Sequence, residues 1–130
     1  MDKVQSILNL VGRILISIIF LSSGIGKIFQ FSGTRQYMAS HGIPAVGLFL
    51  LGAIFLEIVG GLSLLLGCAS RVGAFLLIVF LIPTTLIFHL NWSDQMQLIQ
   101  FMKNLAILGG LFLILTHGSM KYGINHLWKE

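Results

Sequence analysis

Charge is what this chain of 130 residues has least of: Lys, Arg, Asp and Glu make up 9% of it, against 56% hydrophobic residues. A soluble domain carries about a quarter charged residues, so the shortage excludes an ordinary water-facing surface. Acids are the scarcer sign, 4 against 8 Lys and Arg. The resulting net charge of +4 does not point to nucleic acid, because the basic residues are scattered between apolar runs and form no patch. Cysteine occurs once, at Cys68. A single thiol forms no intrachain disulfide and cannot run a dithiol electron relay by itself. No phosphate-binding glycine loop, nucleophile elbow or zinc-ligand spacing is present, and His41, His89, His117 and His126 are spread widely, so no metal site is expected.

What fills the chain instead is four apolar runs, at residues 7–29, 47–67, 72–90 and 98–116. A hydrocarbon layer of roughly 30 Å takes about 20 helical residues to cross, and each run has that length. The expected fold is all-α: an integral membrane four-helix antiparallel bundle, formed by one domain over residues 1–130. A cleaved leader is an alternative for the first run, with Lys3 and Arg13 as its charged start, but the apolar stretch continues past the small residues Ser22 and Gly24.

The connections are short. "QFSGTRQYMASHGIPAVG" reads as a short interfacial helix between the first and second spans, capped by Ser32 or Gly33 and stopped by Gly42 and Pro44. The turn from Cys68 to Arg71 forces the second and third spans into a hairpin. Pro83 should kink the third span and free a carbonyl for Thr84, Thr85 or water. Ser93 or Asp94 can cap the fourth helix, and the pairs Gly60/Gly61 and Gly109/Gly110 read as sites of close packing. With Lys3, Arg13, Arg71, Lys121 and Lys129 on one side and Arg35 as the only loop cation on the other, the positive-inside rule makes the first side cytoplasmic. Both termini are then cytoplasmic, in an inner (plasma) membrane protein. Arg13 is expected to snorkel to the cytoplasmic side.

Five polar groups remain inside the spans: Lys27, Glu57, His89, Lys103 and Asn104. An ionised group at mid-membrane costs about 3 kcal/mol, so these should face the interior or water. At about 1.5 Å per residue, Lys27 lies about 3 Å, Lys103 about 8 Å and Glu57 about 15 Å below the outer end of their helices, with His89 at that end. All five sit in the outer half or at the midplane. The expected arrangement is a polar pocket opening outward, with Glu57 as its floor and the lysines and His89 nearer its mouth. Lys103 aligns with Ala106 and Gly110 as an inner face, and Asn104 is turned by about 100° toward another neighbour. On this count a direct salt bridge needs a long lysine stem, a shifted helix or intervening water, and water or a ligand between Glu57 and the lysines is the expected arrangement.

At these residues the sequence resembles the DoxX family of small four-helix membrane proteins. The matching pieces are "SSGIGK", "YMASHGIP", "LEIVGG" followed by "LLLG" and an arginine, "IFHLNW" and "QFMKNLAILGG", in order from about Arg13 to Gly118. On this resemblance Lys27, Glu57, His89, Lys103 and Asn104 fall on the family's characteristic polar positions. The family takes its name from a membrane subunit associated with thiosulfate:quinone oxidoreduction, and other members are linked to membrane oxidoreductase assemblies. A quinone as ligand or substrate, and a soluble or membrane redox partner, are what the resemblance implies.

Three readings follow. The first is a membrane component of a redox system with a ligand pocket, where Lys27, His89, Lys103 or Asn104 hold quinone carbonyls and Glu57 or His89 moves protons. The second is a small proton-coupled transporter, though exporters of this size carry their glutamate in the first helix and show little charge bias. The third is a structural module in which ion pairs set helix register.

Overall fold

The computed structural model describes residues 3–88 and 93–117. Among them are five helices: α1 (Lys3–Phe29), α2 (Phe31–Ser40), α3 (Val46–Leu66), α4 (Ser70–Phe88) and α5 (Gln95–His117). All but α2 are long and apolar enough to span a membrane. Their outward faces, with Leu8, Leu15, Phe55, Val72 and Leu113 exposed, are surfaces that hydrocarbon covers without cost. The architecture is the expected antiparallel helical bundle, with the short α2 between the first and second spans.

Each boundary has a local cause. α3 stops where Gly67 takes the left-handed conformation (φ 69°), letting the Cys68 N–H donate to the Ser63 carbonyl at 3.1 Å. The Ser63 hydroxyl then donates to the Cys68 carbonyl at 2.6 Å, which ties the α3–α4 turn. α2 is preceded by Gln30 and has no side-chain cap, so neither Ser32 nor Gly33 does the capping expected of it. Gly42 (φ 76°) follows its last turn. Pro83 lies inside α4 and deprives the Val79 carbonyl of its usual donor. Thr84 and Thr85 turn instead to the next two carbonyls, Phe80 and Leu81, each at 2.8 Å.

Packing runs α1 on α3, α3 on α4 and α4 on α5, while α1 and α5 touch only sparsely. The core of Phe20, Leu64, Ala74, Leu77, Ile78, Leu81, Leu111 and Ile114 fills the interior of the bundle. Glycines set the closest approaches. A Cβ on Gly60 would lie 2.6 Å from Leu77 Cγ and 3.1 Å from the Gly73 carbonyl. One on Gly61 would lie 2.9 Å from Leu21, and one on Gly24 2.7 Å from Ile58. Gly109, the outer member of the second pair, has nothing within 4 Å, so it faces lipid rather than a helix.

Arg13 departs from the expectation. It is buried to 1% exposure instead of snorkelling, donating from Nε to Asn9 Oδ1 at 2.9 Å and from Nη1 to the Leu64 carbonyl at 3.0 Å. The reason is that α1 begins at Lys3, a turn before the apolar run, which carries Arg13 deeper into the bundle. It there meets the last turn of α3, whose carbonyls lack intrahelical donors. With Ser6 and Ser17 buried beside it on the same helix face, α1 also buries polar groups ahead of Lys27.

Close packing at Gly60 makes a specific demand. Gly60→Val should lower stability in detergent by about 1–3 kcal/mol through overpacking against Leu77 and the Gly73 backbone, whereas Gly109→Val should leave it within about 0.5 kcal/mol. Denaturant titration of the two variants side by side checks this.

Candidate functional site

Glu57 is on the inner face of α3, in line with Leu50, Gly60, Gly61 and Leu64, and is 1% exposed. Lys27 Nζ reaches its Oε1 at 2.6 Å. This corrects the expectation of water or a ligand between them. Axial counting took all helices to be level and upright, but Gly24, one turn before Lys27, lets α1 close onto Ile58 and the Glu57 stem. With no side chain on that turn, the four-carbon lysine stem covers the remaining offset. Lys27 also donates to Ser23 Oγ at 2.6 Å and stands 5.5 Å from the centroid of the Phe80 ring. Phe80 packs edge-on against Phe20 with centroids 6.4 Å apart. The ammonium is thus held by a carboxylate, a hydroxyl and a ring face.

Asn104 is buried on α5 and donates from Nδ2 to Thr85 Oγ1 at 3.0 Å. The Thr85 hydroxyl gives its one proton to the Leu81 carbonyl, so its oxygen can only accept from Asn104. That order fixes the amide nitrogen toward α4. The inner face of α5 runs through Asn104, Leu111 and Ile114, not through Lys103 and Ala106, which are exposed. The small neighbours of Lys103 marked a thin edge of the helix instead of its packed face.

Lys27, Glu57, Lys103 and Asn104 line one cavity of about 290 Å³. Ser23, Thr84 and Gln100 add polar groups to it, and Ile19, Phe20, Phe80, Leu81 and Ile107 make up the remaining wall. It occupies the seam between α1 and α5: the two helices approach where Ile16 meets Gly110, and the cavity lies between that contact and the Lys27 end of α1. Gln100, absent from the five polar groups expected here, lies one turn before Lys103 and Asn104, and that spacing is its signal in the sequence. Phe80 carried no signal at all. His89 lies outside the described residues. Among the described residues no cluster of His, Cys, Asp and Glu is arranged to hold a metal ion.

A second, mostly apolar groove of about 570 Å³ runs between the α2–α3 connection and α4, bounded by Met38, His41, Leu48, Phe49, Pro83 and Ile87. It shares Phe80 and Thr84 with the polar cavity, so these two side chains stand between a charged chamber and a greasy one.

A four-span bundle with an intramembrane ion pair beside a lateral polar cavity defines a class of small multi-pass membrane protein. The chain belongs to the DoxX family, whose model matches residues 8–90. It is 39% identical over 130 residues to Inner membrane protein YqjF of Escherichia coli (strain K12), covering 100% of this chain and 98% of that one. Inner membrane protein YphA of the same organism is 34% identical over 88% of this chain and 85% of its own. "Putative oxidoreductase CatD" of Bacillus subtilis (strain 168) is 30% identical over 88% of this chain and 89% of its own. These relatives and the four spans make the chain a multi-pass inner membrane protein. No solved structure matches it.

The direct ion pair gives Glu57→Gln a clear consequence. The variant keeps shape but leaves Lys27 without its counter-charge, and should lose about 3 kcal/mol of stability. Lys27→Met combined with Glu57→Gln should recover more than half of that loss. Equilibrium unfolding in mixed micelles of the parent, both single variants and the double variant measures the coupling.

Proposed function

We propose that this DoxX protein is a membrane component of a quinone-linked redox system, and that the cavity between α1 and α5 receives the head of a small quinone-like ligand. The observation that carries the reading is the gathering of Lys27, Glu57, Lys103 and Asn104 around one space inside the bundle. Helix packing alone accounts for the Lys27–Glu57 pair and for the Asn104–Thr85 bond. It gives no reason to leave Lys103 and Gln100 beside them on an open cavity. At about 290 Å³ the space is at the small end of ligand pockets, enough for one ring system. The adjoining apolar groove offers room for a chain. The name borne by CatD of Bacillus subtilis also supports a redox setting.

The residues present fit such a head. Lys103, Gln100 and the second N–H of Asn104 are donors that would hold its carbonyls, and Glu57 and Lys27 are the groups able to hold or pass a proton beside them. A quinone supplies reversible electron chemistry when bound, and a chain with one cysteine leaves the other electron-carrying steps to a soluble or membrane partner. A structural module is the competing reading, favoured by the directness of the Lys27–Glu57 contact. We place both termini in the cytoplasm on the bias of loop cations.

Two measurements check this. Native mass spectrometry from gentle detergent should find a small molecule travelling with the protein, and Gln100→Leu should weaken binding of added 1,4-naphthoquinone roughly fivefold, as the loss of one hydrogen bond does. A protein that carries nothing and takes up no naphthoquinone is a structural module. For topology, Arg35→Cys should label from outside intact cells and Lys129→Cys only after permeabilisation; the reverse pattern inverts the bundle.

A further inference from the structure

Resting on the reading of the α1–α5 cavity as a ligand site, a count of its charges says more about the ligand. Among the described residues the charged groups that line the cavity are Lys27, Lys103 and Glu57. Glu57 is taken by Lys27 at 2.6 Å. Among the described residues the only other carboxylate is Asp94, which accepts from the Met96 N–H at 3.0 Å and so caps the start of α5. Lys103 lies nine positions further along, about 13 Å up the helix. Lys103 therefore faces the cavity as a cation with no counter-charge among the described residues, in a span where each unpaired charge is unfavourable.

Its neighbours do not change the sign. Asn104 is turned by Thr85, Gln100 is neutral, and the other described residues of the wall are apolar apart from the Ser23 and Thr84 hydroxyls. The seam between α1 and α5 is loosely packed, so the chamber is reached sideways from the bilayer. A ligand that arrives that way has an apolar body. We infer that the cavity binds an amphiphilic anion, a singly charged oxygen head on a compact apolar body, with Lys103 as its counter-ion and Gln100 as a flanking donor. Lys103 is then a specificity-determining residue: it selects charge, and the chamber volume selects the size of the head.

The same chemistry is available from a free weak acid and from an anionic lipid headgroup. The test uses two probes of nearly one shape, neutral 1,4-naphthoquinone and 2-hydroxy-1,4-naphthoquinone, which is ionised at neutral pH. The full chain is placed in phosphatidylcholine nanodiscs at pH 7, and affinities are compared for the parent, Lys103→Met and Lys103→Arg. The parent should bind the ionised probe roughly tenfold or more tighter than the neutral one, as one desolvated charge pair provides. Lys103→Met should erase the preference and Lys103→Arg should keep it. Both variants remove no contact from the helix core, and their unfolding curves control for fold. Adding phosphatidylglycerol to the nanodisc separates the sources: competition with the probe in the parent but not in Lys103→Met identifies a lipid headgroup, and absence of competition identifies a free anion.

Equal affinity for both probes in the parent overturns the inference while leaving the ring-binding cavity standing. A preference that survives in Lys103→Met overturns it too. Binding of neither probe removes the inference and the ligand reading together. Binding of the ionised probe alone keeps the inference and removes the neutral quinone as ligand.

Discussion

The contact between Lys27 Nζ and Glu57 Oε1 sets the relation of α1 to α3, and much of the remaining geometry depends on that relation. An acid buried to 1% exposure in a membrane helix must either be neutral or stand against a cation, and the sequence offers very few cations at that level. Lys27 can serve only if α1 approaches α3 closely. Gly24 and Gly61 allow the approach, since a side chain at either would strike Ile58 or Leu21. Once α1 leans toward α3, it leaves α5. The sparse contact between α1 and α5, and the cavity along that seam, are the other side of the same adjustment.

A second polar connection performs the same task between α4 and α5. Pro83 removes one rung of the α4 ladder, and Thr84 and Thr85 fold their hydroxyls back onto Phe80 and Leu81. Back-bonded in this way, Thr85 has its proton committed and its lone pairs free, and Asn104 supplies the N–H they accept. In hydrocarbon, where apolar surfaces give helices no reason to prefer each other over lipid, such bonds and close glycine contacts decide which helices pair. Arg13, bonded to the Leu64 carbonyl, makes a third junction at the opposite end. Polar contacts thus join α1 to α3 at Lys27–Glu57 and at Arg13–Leu64, and α4 to α5 at Thr85–Asn104.

What could be read in the sequence followed from how local each property is. Four spans, the α3–α4 hairpin and the helix between the first two spans are written in runs of hydropathy and in turn residues such as Gly42 and Gly67. The polar residues that line the cavity could be named, because a lysine or asparagine inside an apolar run is conspicuous; Lys27, Glu57, Lys103 and Asn104 were found that way. Their mutual distances could not. Helix tilt and relative slide are properties of pairs of helices, and a count of about 1.5 Å per residue treats each helix as upright and level with the others. That single assumption misplaced Lys27 from Glu57. Arg13 was misjudged for a related reason: the apolar run begins at Ile7, but the helix begins at Lys3, and hydropathy does not see the polar first turn. Phe80 was beyond reach, being one apolar residue among many until the fold put it over an ammonium.

Phe80 also shows how one residue serves stability and site together. It faces Lys27 on the side of the polar cavity and packs on Phe20, while its position on α4 and that of Thr84 border the apolar groove behind. A ring face attracts the ammonium without forming a competing ion pair, and the ring excludes water from one flank of the Lys27–Glu57 contact. A carboxylate in Phe80's place would compete with Glu57 for the lysine, and an aliphatic residue would leave that flank without the attraction of a π-face. An aromatic wall is consistent with both demands: it shields the ion pair, and it separates a chamber that contains charge from a groove that contains none.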